Sequence, residues 1–356
     1  MSDLDAFYHL GEQVFSDTVS PQVIEATERR ELPDALFDAL SETGMLSMLA
    51  PEQSGGIGAH LNSAVAVLRA AGAAAAPGPV LETMLSRFIL ARAELPPTQG
   101  WTTFAFADEA NAPPGSGRWL RPPDFRRVPW GGAAENFVVV SPQSCGGIRV
   151  AASRTSDWNL KPGLDAAGEP RDHLSGSEIM IACQGIPEIG YEEVLRMASL
   201  LRGGQILGAV EWVFRRSTEY AMERKQFGRE IGKFQAVQQM LAELAGHTLG
   251  AAAITQAAAD AGSPTLVASA RSRLADAADA AITIGHQVHG AIGFSREYAL
   301  NHRTRRLISW RDDYGSVAYW RQQLARQFIG LDRTRFWPAV AGSGTEVPAA
   351  GNAHGT

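Results

Sequence analysis

The chain has 356 residues, enough to bury a sizeable core, and its length alone suggests about two domains of ~150 residues each. Hydrophobic residues make up 45% and charged residues 20%, and the net charge of −6 gives no basic field that points to nucleic acid. No run of about 18 strongly apolar residues marks a membrane span, and Cys145 and Cys183 lie in no metal or redox spacing, so they read as buried thiols of a reducing compartment.

The start, Met1-Ser2-Asp3-Leu4-Asp5, is acidic and lacks the apolar core of a signal peptide, which predicts a cytoplasmic protein. From about Asp5 to Ala76 the chain reads as helical. Val23, Leu32, Leu36, Leu40 and Leu46 recur at helical intervals around the charged run Glu28–Glu31. Gly44 and the stretch Pro51–Gly58 break the pattern, a second helix covers about Ala59–Ala76, and Pro77-Gly78-Pro79 separates it from a third over Val80–Ala93.

Near Pro96 the character changes to short apolar runs between Gly, Pro and Asp. Thr102–Ala107, Asn136–Val140, Gly147–Ala152 and Glu178–Cys183 read as strands of a small β domain. Long helical patterns return from about Tyr191. They cover Leu200–Met222, then the run with Phe234, Val237, Leu241, Leu244 and Leu249, then Leu266–Ile284 and Ser316–Phe328, which together suggest an up-down four-helix bundle. The Gly/Ala/Pro-rich end reads as disordered. The expected division is a helical domain over 1–96, a β domain over 97–190, a bundle over 191–336 and a disordered tail over 337–356. The fold class is mainly α.

Two stretches carry chemistry. Arg224-Lys225-Gln226-Phe227-Gly228 follows a long helix and ends in a glycine break, which lets Arg224 project from a helix end as a planar, permanent donor suited to a pyrophosphate. Gln287-Val288-His289-Gly290-Ala291-Ile292-Gly293 closes a later helix in two glycines, where backbone groups can approach a ligand closely. Read singly, the arginine is more often a surface salt-bridge partner and the glycines more often a helix cap. His286, His289 and His302 have no second ligand or nucleophile at useful spacing and read as packing histidines. The sequence shows neither a metal cluster nor a Ser/His/Asp set.

In this order the two stretches closely resemble the C-terminal domain of acyl-CoA dehydrogenases. Gly44-Met45-Leu46 with Pro51-Glu52 and Gly55-Gly56 is similar to the N-terminal domain of the same family. The resemblance implies an FAD flavoprotein that removes hydrogens from the α and β carbons of an acyl-CoA thioester, with an electron-transfer flavoprotein as electron acceptor. It implies that Arg224, Gln226 and Phe227 reach the FAD of a neighbouring subunit, that the Gln287, Gly290, Ala291 and Gly293 loop lies along its ADP part, and that Gln235 flanks the cofactor or the interface. Gln235 and Gln238 are read equally well as ordinary polar helix positions. Alanine at 291 departs from the family's second glycine.

The family base is a glutamate, and the resemblance places Tyr314 there. The alternative position falls on Ala198, beside Ser199. Tyrosine, with an ordinary pKa of about 10, is a poor base near neutrality, so both usual positions are vacant. Asp313 is the candidate displaced base, against a reading in which Asp312 and Asp313 cap the helix that starts near Ser316. The middle domain also departs, with Phe104–Ala110 and Gly115-Ser116 where the family holds flavin and substrate. Trp101, Trp130 and Trp158 are better read as core than as flavin-packing rings. Four functions follow: a complete homo-oligomeric enzyme using Asp313; a degenerate subunit of a hetero-oligomer with a second acyl-CoA dehydrogenase-like chain, of the kind that oxidises bulky or steroid side-chain thioesters; a flavin mono-oxygenase or oxidase; and a scaffold without flavin.

Overall fold

The computed structural model describes residues 3–144 and 146–341. Cys145 and most of the expected tail, 342–356, lie outside the described residues. The first layer is helical: α1 (Asp3–Thr18), α2 (Pro21–Glu28), α3 (Asp34–Glu42), α4 (Leu61–Ala74) and α5 (Val80–Arg92), with short 3-10 turns at Met45–Ser47 and Glu52–Ser54. The early helical run is broken more often than its apolar spacing suggests. Ser20 caps Val23 N and Pro21 opens α2, the local chemistry of a helix start. The charged run ends α2 instead of lining a helix, and Glu28 pairs with Arg305 and Arg296 of a distant segment.

The middle layer is a five-stranded sheet in the order β1-β4-β5-β8-β2 beside a three-stranded sheet β3-β7-β6. Its strands are β1 (Thr102–Phe106), β2 (Gly117–Leu120), β3 (Phe125–Pro129), β4 (Asn136–Pro142), β5 (Ile148–Arg154), β6 (Asn159–Lys161), β7 (Arg171–Ser175) and β8 (Glu178–Ile186). β1 pairs with β4 in parallel, Phe104 opposite Val138, while β4 and β8 flank β5 antiparallel. One face sends Phe104, Val138, Val140 and Val150 into the helical core. The other packs Phe137 and Val139 on Trp119, Phe125 and Trp158. Trp101, Trp130 and Trp158 are all buried, as core residues. The sequence pattern missed β2, β3, β6 and β7, which are short and carry Arg, Lys, Pro or His where alternation would show.

The last layer is the bundle of α6 (Tyr191–Glu223), α7 (Gln235–Ala261), α8 (Pro264–His289) and α10 (Val317–Phe328). A two-stranded hairpin, β9 (Lys225–Gln226) and β10 (Arg229–Glu230), joins α6 to α7. The pattern passed over α9 (Ala299–Trp310), which buries Leu300, Leu307 and Trp310 but is otherwise rich in arginine. α11 (Arg333–Val340) occupies the start of the expected tail and corrects that reading for its residues: Asp332 caps its first turn through Thr334 N and Arg335 N. No described helix is long and apolar enough to cross a membrane.

α4 and α6 cross at contact of their backbones. A Cβ at Gly72 would run into the carbonyl oxygen of Gln205, and one at Gly208 into that of Arg69. Glycine is required there for space, although it weakens a helix by about 1 kcal/mol relative to alanine. Side chains of α1, α4, α5, β1, α6 and α8 share one continuous core.

Candidate functional site

At one end of the bundle, α6 stops where Arg224 leaves helical geometry, with φ −75° and ψ 125°. The hairpin then turns through Phe227 at φ 50° and Gly228 at φ 79°. Two residues at positive φ make a type I′ turn, which suits the second position to glycine and strains a bulky residue at the first. The Phe227 ring is nevertheless 91% exposed. It touches only the edge of Phe234, 6.1 Å between centroids, whose face Arg229 covers at 4.2 Å. Arg224 and Gln226 are also exposed, and the Arg224 guanidinium has no ion-pair partner among the described residues.

The α8 end lies beside it. His289 stacks on Tyr220, 4.5 Å between centroids, one turn before Arg224. Its Nδ1 donates to the Gly285 carbonyl at 2.8 Å, which leaves Nε2 unprotonated and buried without a partner. Burial holds His289 and His286 below the ordinary histidine range, and both stay neutral. His286 contacts Thr304 Oγ1 at 3.0 Å and stacks on Phe294. His302 is buried and pulled down to about 4, by burial first and then by Arg306 and Arg303. All three are packing residues.

Gly290 takes φ 64° and ψ −145°, a conformation that only glycine adopts readily. Space beside it is open: a Cβ there would meet nothing within 4 Å. Gln287, Gly290 and Ala291 line a cleft of about 510 Å³ with Ile282, Thr283, His286 and Phe294. Gly293 is buried beneath it, against Leu300 and His286, so its role is close packing. Gln235 is exposed at the start of α7. Gln238 donates to the Gly232 carbonyl at 3.0 Å and closes the turn into that helix. Folding therefore brings Arg224, Gln226 and Phe227 to the same end as Gln287, Gly290 and Ala291. An open cleft, a glycine-lined approach and an unpaired guanidinium fit the pyrophosphate-bearing part of a dinucleotide such as FAD.

The centre of the chain is different. Tyr314, at φ 53°, stacks on Phe104 with centroids 5.3 Å apart, and Phe106 meets it edge-on. Its hydroxyl donates to Glu82 Oε1 at 2.7 Å, and Arg202 Nη2 donates to the same oxygen at 2.6 Å. Burial first, then the Glu82 carboxylate, push the tyrosine well above its ordinary value, so it stays neutral and cannot act as a base near neutrality. Burial pulls on Arg202, but Glu82 and Asp313 outweigh it and hold the guanidinium charged.

Asp313 belongs to this network. Its Oδ2 receives Arg171 Nη2 at 2.8 Å and lies 3.3 Å from Arg202 Nε. Arg271 Nη2 donates to its backbone carbonyl at 2.9 Å. Arg171 also holds Asp165, at 3.0 Å. Two guanidinium groups already converge on the Asp313 oxygen that would have to take a proton. The capping alternative is half right: Asp312 receives Val317 N at 3.1 Å at the start of α10, while Asp313 turns inward. Ala198 is fully buried, and Ser199 only donates to the Arg196 carbonyl. Gly115-Ser116 has a structural role in the sheet, Ser116 Oγ bridging the Cys183 backbone N–H and carbonyl.

The sequence reading overlooked Glu82, Arg171 and Arg202. The available signal was a single charge in an otherwise apolar helical run, Glu82 among Val80–Leu85 and Arg202 among Leu200–Val210. Among the described residues no group of three or more His, Cys, Asp or Glu could hold a metal ion.

Two family models match the chain: "Acyl-CoA dehydrogenase, C-terminal domain" over residues 191–328 and "Acyl-CoA dehydrogenase, N-terminal domain" over residues 3–92. Acyl-CoA dehydrogenase FadE27 of Mycobacterium tuberculosis is 31% identical over 266 residues, covering 64% of this chain and 68% of FadE27. Among solved structures, the ChsE4-ChsE5 complex from Mycobacterium tuberculosis has a TM-score of 0.80 at 22% identity, over 93% of this chain and 98% of that one. A variant of the Tcur3481-Tcur3483 steroid ACAD has a TM-score of 0.79 at 19% identity, over 96% and 99%. At such identities the two structures establish a shared fold.

Proposed function

The chain belongs to the acyl-CoA dehydrogenase family, whose members are FAD-dependent flavoproteins, and we propose that it works as a cofactor-completing subunit of a heteromeric acyl-CoA dehydrogenase. One observation carries this reading: the pyrophosphate-fitting end is open and unpaired, while the place of the family base is packed with Tyr314, Glu82 and Arg202.

FAD, when bound, supplies the electron sink that accepts the β hydrogen as hydride. In the proposal Arg224 pairs with the FAD pyrophosphate, a planar fork meeting an anion. Gln226 and Gln287 hydrogen-bond to the same part, and Gly290 and Ala291 let the backbone approach it. Phe227 packs on the neighbouring subunit, which provides a use for a strained, exposed aromatic ring. Gln235 flanks the interface. The partner chain contributes the carboxylate that takes the α proton, a weak acid even beside a thioester.

The substrate in this reading is a bulky acyl-CoA thioester of the steroid side-chain kind, and an electron-transfer flavoprotein takes the electrons. Two of the proteins that share this fold support it over a homo-oligomer: one is a complex of two differently named chains, ChsE4 and ChsE5, and the other is a steroid ACAD. We place the assembly in the cytoplasm.

The test is flavin content. The chain purified alone is expected to hold almost no FAD, and the co-expressed pair about one FAD per two chains. One FAD per chain with acyl-CoA turnover by this chain alone would refute the proposal. Were Asp313 the base, Asp313→Asn would abolish turnover in a complex that still retained its flavin.

A further inference from the structure

The β3-β7-β6 sheet has two unlike faces. Phe125, Val128 and Leu174 are buried in the core of the middle layer. Alternation along the strands therefore turns His173 and its cross-strand neighbour Lys161 to the other face, with Arg171 two residues before His173. On the β3 side of β7 the register slips. Phe125 faces Leu174 and Val128 faces Asp172, so Arg126 and Arg127 together oppose His173 alone. This β-bulge gathers two arginines, a histidine and a lysine across three strands, and they line one cleft of about 400 Å³.

The row works against the chain's own stability. Like charges on facing strand positions are destabilising, and the residues that line the cleft include no carboxylate. Arg171, at the buried floor, is already matched by Asp165 and Asp313. His173 has the exposed Asp124 at 3.7 Å. Arg126, Arg127 and Lys161 are exposed and have no ion-pair partner among the described residues. Arg127 also sits at φ 56°, where glycine would be the relaxed choice. In a chain of net charge −6, three free permanent cations in one hollow make a local field of the opposite sign.

We propose that this cleft binds a small polyphosphorylated anion, pyrophosphate itself or an organic diphosphate. Three cations balance an anion of two to three charges, whereas a single carboxylate would leave most of them unmatched. An arginine fork pairs with two phosphate oxygens at once, and two forks side by side in the bulge suit two linked phosphates. The volume is at the small end of ligand sites and suits a diphosphate with a sugar-sized group. Such a diphosphate is carried by the nucleotide end of a CoA thioester and by a free nucleotide alike. None of the lining residues belongs to the end of the bundle that carries Arg224, so the proposal does not rest on the flavin reading.

The test titrates the full chain by calorimetry with inorganic pyrophosphate, inorganic phosphate, ADP and CoA, at low and at high salt. Pyrophosphate is expected to bind at one site per chain, phosphate about tenfold or more weakly, and both to weaken with salt. Arg127→Gly and Lys161→Gln should each weaken pyrophosphate by about tenfold. Arg127→Gly should do so with no fall in unfolding temperature, because glycine relaxes the positive φ, and this separates a lost ligand contact from lost structure. Arg224→Ala, at the other anion-fitting end, should leave the binding in place. CoA tighter than ADP assigns the cleft to the nucleotide end of a thioester, and ADP as tight as CoA assigns it to a free nucleotide. Phosphate binding as tightly as pyrophosphate, pyrophosphate binding unchanged in either cleft variant, or its loss in Arg224→Ala would overturn the proposal. None of these readouts involves flavin.

Discussion

The middle and the end of α6 are opposite in character. Near its middle, Arg202 is buried in a network with Glu82, Asp313 and Tyr314 in which each carboxylate meets a guanidinium. At its last turn, Arg224 is exposed with no ion-pair partner among the described residues, and the hairpin turn after it is exposed and locally strained. A protein interior tolerates a charge only when it is paired and hydrogen-bonded. A surface can leave a charge for something outside the chain. In the proposed assembly the first region serves this chain's own stability and the second a neighbour.

Breaking the centre should have the largest effect. Arg202→Met leaves Glu82 buried without its cation and is expected to cost about 3–5 kcal/mol, measured as a lower urea midpoint. Adding Glu82→Leu should recover part of that loss, because the pair is then replaced by apolar contacts. If the double variant is the weaker protein, the centre is more than a structural network. Next comes the crossing: Gly208→Ala is expected to cost about 1–3 kcal/mol by overpacking, seen in thermal unfolding, with flavin stoichiometry of the surviving complex unchanged.

The open end should behave in reverse. Arg224→Ala is expected to leave unfolding unchanged and weaken FAD retention by the complex ~10–100-fold, the loss of a charge-assisted pair. A drop in stability with no change in flavin would make Arg224 an ordinary surface residue. Phe227→Asn is the mildest. Asparagine tolerates positive φ, so the isolated chain should gain up to about 1 kcal/mol while sedimentation shows a weaker complex. A gain in stability with full assembly would detach the hairpin from the interface.

These regions also differ in how legible they were. Arg224–Gly228 and Gln287–Gly293 are runs of consecutive residues at helix ends, so local chemistry exposes them, although only the Tyr220–His289 stack shows that they lie together. The centre collects residues from α5, β7, α6 and the loop before α10, and no spacing along the chain encodes such a meeting. Asp313 reads as free in the sequence because its partners, Arg171 and Arg202, are each more than a hundred residues away. The long helices were legible by apolar period, whereas α9 was hidden by its arginines, several of which are buried against carboxylates and carbonyl groups of other layers.

The glycine crossing of α4 and α6 sets how this molecule can respond to company. Backbones that touch leave no layer of side chains along which one helix could slide, and a well-packed interface changes in discrete steps or not at all. The first layer and the bundle therefore form a single anvil, too stiff to clamp down on whatever docks. Adaptation is left to the β9–β10 hairpin and the connectors. In the proposed assembly the helical frame behind the interface is finished before the two chains meet, and rearrangement on contact is confined to the hairpin.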